Sequence, residues 1–404
     1  MSTIQNYSVN ALLSDVSYTT NLPEGSTGNP LRDLLKAPNA RFEGMIAFAQ
    51  DIGDHYIVLD QYTEVAINGF SATVFQNKDT GEIHFVCRGT EPGIPDLVLA
   101  DGDLAVNGVA SQQIVALINY VKRLEAGPGQ AAQYGYEVVA NVNGVDVYEF
   151  RQLGYADRVV LTNAQGNPVP FGRVTVAGHS LGGHLATAFA RLFPEHTDHV
   201  YTYNSAGFHG SSEFRFQEYE QGLGKPFGVF PGPNTQTNVY AENGFNLTTS
   251  DITFTQQGTR VPVFNEESTL IPNHLIDKLS DSLALYNLLA KLDPSLTMSQ
   301  VDALFKAASN EMANTLEKGL QGLVKLFQNQ NLELLIENLD AYEISEGFTD
   351  VALGVGTVKR DVPRPAWIRG GLGPLPAGVG VATSEYPCAF QGHAPVESIS
   401  MRAV

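Results

Sequence analysis

The segment Gly178-His179-Ser180-Leu181-Gly182 sets a serine between two glycines, at minus two and plus two. A serine hydroxyl is a weak nucleophile. It needs exposure to a substrate and an adjacent base. A sharp turn from a strand into a helix supplies the exposure, at the cost of a strained serine backbone and of small residues two before and two after. Gly178 and Gly182 meet that demand. The flanks agree: Arg173-Val-Thr-Val-Ala177 reads as a buried strand, and His184 to Phe193 as a helix stopped by Pro194. The plain alternative is a βα turn whose serine caps the helix. The strand–turn–helix context favours acyl transfer through Ser180.

Such chemistry needs an oxyanion hole, a base and an acid. The first turn of the helix after Ser180 aims N–H groups at the elbow, so the backbone N–H of Leu181 is the natural first oxyanion donor. Glu82-Ile-His-Phe-Val-Cys-Arg88-Gly89-Thr90 is a strand ending in Arg-Gly-Thr, and Thr90 offers the second donor. If the chain order is serine, acid, histidine, the base follows Ser180. His184 lies on the elbow helix and cannot turn back. His196 and His199 flank the next strand too early, His209 precedes any plausible acid, and His393 lies in the C-terminal tail. His274, in Ile271-Pro-Asn-His-Leu, opens a helix and is left as the base. The acid should close a strand beyond the elbow so that its carboxylate can orient the imidazole. Glu242 ends Thr237-Asn-Val-Tyr-Ala-Glu242 and is the first choice, with Asp251 the alternative. Asp277 and Asp281 read as charges complementing the start of their own helix.

The elements that must position these residues follow from periodicity. A helix is expected near Val9–Ser17. Strands are expected at His55–Asp60, Glu64–Gln76 and Glu82–Arg88, the last two joined through the turn-rich Asn77–Gly81 as a hairpin. Ile114, Val115, Leu117, Ile118 and Val121 give Ser111 to Leu124 a helical spacing. Residues 126–170 alternate apolar and polar and read as a small β insertion. The run 173–203 is strand, Gly-rich turn, helix, strand, a βαβ unit and hence a parallel sheet. Asn238–Ala241 is a further short strand. Residues 281–345 are mostly helical and form either core cover or a lid over the site. In 359–404, Gly plus Pro make up 12 of 46 residues, and the segment reads as a peripheral tail. The expected organisation is an α/β-hydrolase fold over 1–350 with this tail beyond it.

Composition closes off other classes. The formal net charge of −19 argues against nucleic acid, which needs a basic surface. It also argues against general attraction to anionic lipid. The two cysteines, Cys87 and Cys388, form no Cys-x-x-Cys motif, and Cys87 lies in an apolar strand run as a buried thiol. Met1 to Thr20 has no Lys, no Arg and no apolar stretch of the kind that marks a cleavable signal, and no span of membrane length occurs.

Val86-Cys-Arg-Gly-Thr90, then Asp96-Leu-Val-Leu-Ala-Asp-Gly-Asp103, then Gly178-His-Ser-Leu-Gly-Gly183 resembles the class 3 lipases. The likeness is greatest to the bacterial lipase branch often fused to calcium-binding repeats, and covers roughly residues 75–345. It implies an α/β-hydrolase fold, a Ser-acid-His triad and hydrolysis of lipid esters at a lipid–water interface. It places the family's histidine at His274. The family more often uses Asp as the acid, which keeps Asp251 open. His179 fills the variable elbow position, where the family often has His, and reads as a local packing or hydrogen-bonding residue. No Gly-Gly-x-Gly-x-Asp repeat array is present, so calcium-dependent folding and repeat-associated export do not follow. The resemblance suggests bacterial secretion; otherwise the chain reads as cytoplasmic. Asp96, Asp101 and Asp103 could offer oxygens to a structural calcium ion, or an ion pair to Arg88. The expected function is a serine carboxylic ester hydrolase, a triacylglycerol lipase that needs no cofactor. A phospholipase A1 or polyester hydrolase is the near alternative, and an inactive lipid- or partner-binding module is the alternative of another class.

Overall fold

A computed structural model of the chain describes residues 3–37, 40, 42, 46–64, 69–89, 108–127, 130–142, 145–242, 254–265, 274–293 and 295–308. Three helices open the chain: α1 (Thr3–Val16), α2 (Gly28–Leu35) and α3 (Ile46–His55). Strands β1 (Tyr56–Thr63), β2 (Ser71–Asn77) and β3 (Ile83–Cys87) follow as an antiparallel meander. The expected hairpin joins β2 to β3. Asn77 Oδ1 accepts the N–H groups of Asp79 and Thr80 over 2.8 and 3.1 Å, and Gly81 takes a positive φ of 77°. Side-chain capture of the following amides is what makes Asn a turn former.

Helix α4 (Ser111–Glu125) runs over the expected span, and a separate hairpin of β4 (Ala132–Val142) and β5 (Val145–Ala156) occupies the expected insertion. Then come β6 (Val174–His179), α5 (Leu181–Leu192), β7 (Thr197–Tyr203), α6 (Ser212–Gly222), β8 (Gln236–Ala241) and β9 (Thr259–Val263). Helices α7 (Ile276–Leu292) and α8 (Met298–Ala308) end the described part. The seven-stranded sheet has the order β1-β2-β3-β6-β7-β8-β9, and β3, β6, β7, β8 and β9 pair in parallel. The βαβ reading of 173–203 therefore holds.

Strand side chains alternate between two apolar cores, as a sheet covered on both faces requires. Phe75, Val86, Ala177, Tyr203 and Val239 pack with α1, α2, α3, α7 and α8 on one face. Val74, Phe85, Cys87, Val176 and Val200 pack with α4, α5 and α6 on the other. Cys87 is a free buried thiol. Among the described residues no helix is long and apolar enough to cross a membrane. Four elements go beyond the sequence reading: α2, α3, α6 and β9. Strand β2 starts at Ser71, later than the expected Glu64. The helical expectation beyond Ala308, and the tail, lie outside the described residues.

Candidate active site

Ser180 stands between the end of β6 and the start of α5 with φ 56° and ψ −123°. A non-glycine residue there costs about 1–3 kcal/mol and persists only where its surroundings fix it. They do so here. The Ser180 N–H donates to the Tyr203 carbonyl over 2.9 Å, and the Ser180 carbonyl accepts from Gly183 and Ala206 over 3.0 and 3.3 Å. The serine side chain makes no capping bond to α5. The helix-capping alternative for Ser180 is thereby removed.

The two elbow glycines are demanded by close backbone packing. A Cβ at Gly178 would fall 2.2 Å from the Gly182 carbonyl oxygen. A Cβ at Gly182 would fall 2.2 Å from the Cys87 carbonyl oxygen, where β3 leaves the sheet. The first turn of α5 thus lies directly against the exit of β3. The Leu181 N–H, first in that helix, has no intrahelical acceptor by its position.

His274 comes to Ser180 from the far side of the chain. Its Nε2 lies 2.9 Å from Ser180 Oγ, within hydrogen-bond reach of a base on its nucleophile. Burial pushes the imidazole down to about 4, because desolvation penalises its charged form. Its Nδ1 is shielded from solvent and meets no acceptor among the described residues. The other candidate histidines among the described residues are committed elsewhere, and His393 lies outside the described residues. His184 stacks on Phe208 at 4.0 Å, His196 bonds Glu125, His199 meets Thr237 Oγ1 at 2.9 Å, and His209 meets Ser211 Oγ at 2.8 Å.

Glu242 departs from the expectation. It directly follows β8, but its side chain is exposed and ion-paired with Lys306 of α8. It makes no bond to His274, so the reading of Glu242 as the carboxylate on the imidazole is corrected. The reason is a cation about sixty residues further on that no local pattern reveals. Asp251, Thr90, Asp96, Asp101 and Asp103 lie outside the described residues. Among the described residues, Glu125, Glu195 and His196 could share a metal ion. Lys122 and Lys225 already hold those carboxylates at 2.6 Å, and His196 precedes β7, at the opposite end of the strand from the elbow.

Two residues at the site were not singled out from the sequence. Tyr18 bonds His179, and Asn204 bonds the His274 carbonyl. Asn204 carries a positive φ of 43° just after β7, a conformation asparagine tolerates better than most residues. An asparagine directly after a buried strand was the available signal.

A mostly parallel sheet covered on both faces, with a strained serine between a central strand and its helix, defines an α/β-hydrolase fold. No protein-family model matches the chain, and no curated protein does. Solved structures similar to it include fungal lipases. The Rhizomucor miehei lipase propeptide complex shares 14% identity over 64% of this chain and 68% of its own, with a TM-score of 0.33. A triacylglycerol lipase from Penicillium expansum shares 14% over 65% and 80%, with 0.30. A lipase from Yarrowia lipolytica shares 12% over 64% and 78%, with 0.32.

The strain at Ser180 gives a testable inversion. Ser180→Gly and Ser180→Ala both remove the hydroxyl, but only glycine relaxes at φ 56°. The glycine variant is expected to be more stable than the alanine variant by about 1–2 kcal/mol in urea denaturation. Equal stability, or a more stable alanine variant, would contradict the strain.

Proposed function

We propose that this protein is a serine carboxylic ester hydrolase acting on lipid esters through an acyl-enzyme. The observation that carries the reading is the 2.9 Å contact between His274 Nε2 and Ser180 Oγ, made by a serine held in a strained elbow and unused as a cap. The Ser180 oxygen attacks the ester carbonyl while its proton passes to His274 Nε2. The carbonyl oxygen becomes an oxyanion facing the Leu181 N–H, with Thr90 as the second donor. Collapse breaks the ester C–O bond, and His274 returns the proton to the departing alcohol. Water then attacks the acyl-enzyme by the same route, freeing the acid and Ser180. None of these steps draws on a cofactor. The choice of lipid esters, and of acylglycerols first, rests on the motif resemblance to class 3 lipases.

Asp251 is the proposed acid. His274 Nδ1 meets no acceptor among the described residues, and Asp251 is the one carboxylate in residues 243–253, which follow β8. A carboxylate on Nδ1 favours the imidazolium and raises its pKa from the low value that burial alone imposes.

Two measurements follow. On p-nitrophenyl esters from acetate to palmitate, the wild type is expected to prefer acyl chains of about eight carbons or more, as an apolar acyl groove would. Ser180→Ala should lose about 10⁴-fold or more. Surviving activity in that variant would overturn the nucleophile, and a preference for acetate would point to a small-ester esterase. In the second, Asp251→Asn should lower kcat by up to about 10⁴-fold, while Glu242→Gln leaves it unchanged. The acid limb of the kcat/KM profile, where His274 takes up its proton, should move down toward pH 4 in Asp251→Asn. A limb at the wild-type pH in that variant would remove Asp251 as the partner.

A further inference from the structure

The side chain of His274 reaches Ser180, and the main chain of the same residue is held from behind. Its carbonyl oxygen lies 2.7 Å from His179 Nε2 and accepts the Asn204 Nδ2 amide over 3.1 Å. A carbonyl oxygen only accepts, so His179 Nε2 carries a proton. In the neutral ring Nδ1 is then an acceptor, and the Tyr18 hydroxyl at 2.9 Å donates to it. With the ring neutral, the order runs from Tyr18 to His179 and from His179 to the His274 carbonyl. Asn204 is fixed, because its Oδ1 accepts the Ala241 N–H over 3.0 Å and its own N–H donates to the Val239 carbonyl over 3.0 Å.

Tyr18 is itself anchored. It lies two residues beyond α1, and that helix is pinned on three sides. Asn10 Oδ1 meets His84 Nδ1 of β3 at 3.0 Å. The Tyr203 hydroxyl at the end of β7 donates to the Tyr7 carbonyl over 2.7 Å. Ser280 of α7 donates to Asp15 over 3.3 Å. Helix α7 begins two residues after His274. The N-terminal helix therefore touches the nucleophile's strand neighbours and the helix that follows the base. The Tyr18 hydroxyl also fills space that only glycine leaves at the end of β3: a Cβ on Gly89 would fall 2.6 Å from it.

We propose that Tyr18 and His179 are positioning residues for His274, holding its main chain so that Nε2 stays on Ser180. His179, the variable residue of the elbow, acts by orientation and transfers no proton. This rests on the reading of Ser180 and His274 as nucleophile and base. It gives the N-terminal helix a part in the reaction that packing alone would not require.

The test compares Tyr18→Phe, His179→Leu and His179→Gln in the full chain, with Ser180→Ala alongside, on a p-nitrophenyl ester that the wild type hydrolyses. Glutamine keeps an N–H at the reach of histidine Nε2; leucine does not. A displacement of about 1 Å at a catalytic group costs on the order of 100-fold in rate. His179→Leu should accordingly lose about 100-fold in kcat with KM unchanged, and His179→Gln should recover most of it. Tyr18→Phe, which removes one oxygen atom and keeps the packing, should lose about 10-fold in kcat with KM unchanged, while the thermal midpoint falls by only a few degrees for the lost hydrogen bond. Wild-type kcat in a folded Tyr18→Phe and His179→Leu would overturn the proposal, as would glutamine performing no better than leucine. If those variants match wild type while Ser180→Ala is inactive, the positioning role alone falls. If Ser180→Ala is active, the nucleophile reading falls first.

Discussion

Three stretches of backbone meet at Gly182. The carbonyl of Cys87 closes on it from β3, and the carbonyl of Gly182 itself closes on Gly178 in β6. No side chain fits between them, and this contact fixes where the rest of the site can be. It seats the first turn of α5 against the exit of β3. It also forces the chain to turn within a single residue. That residue is Ser180, and its positive φ is the result. Hydrogen bonds from β7 and the turn beyond it keep the serine there, where its hydroxyl is free for His274 and unused by the helix.

The parallel strands make this contact possible. Strands β3, β6 and β7 all run toward the same edge, so β3 and β6 deliver their last residues beside one another, with Cys87 level with Gly178. His179 is level with Tyr203, which brings Asn204 beside the elbow. His274 arrives from a distant part of the sequence, and its helix is fastened to the sheet through α1. The contact between Ser180 and His274 therefore depends on contacts spanning nearly the whole described chain. Burial around the imidazole disfavours its charged form, and its Nε2 rests against the Ser180 hydroxyl.

What the sequence made legible tracks how local the cause was. The elbow was readable because glycine spacing and an apolar strand lie within ten residues of Ser180. His274 was reachable because the remaining histidines sit on or beside elements whose direction was already evident. Glu242 was misread because the end of β8 was correct and the partner was not: Lys306 takes that carboxylate from a helix far along the chain. Strand β9 was missed because Pro262 argues against a central strand, yet β9 is the edge of the sheet, where proline is tolerated. Helix α6 was missed because Arg215 and Glu220 are buried on it, and their charges hide its apolar stripe. Both are paired, Arg215 with Glu218 and Glu220 with Arg191. Helix α3 carries Gly53, a weak helix former, where a Cβ would fall 2.6 Å from the Gly28 carbonyl oxygen. Tyr18 and Asn204 act only through residues distant in sequence, so no local pattern marked them.

The proposed reaction requires Ser180 to be a nucleophile activated by His274. Covalent trapping reads it most directly. The protein would be treated with a p-nitrophenyl alkylphosphonate and its peptides mapped by mass spectrometry. A hydroxyl without a base at hand does not react. The expected result is one phosphonyl adduct, on Ser180, in the wild type and none in His274→Ala. A wild type that stays unlabelled, or an adduct on another residue, would contradict the account.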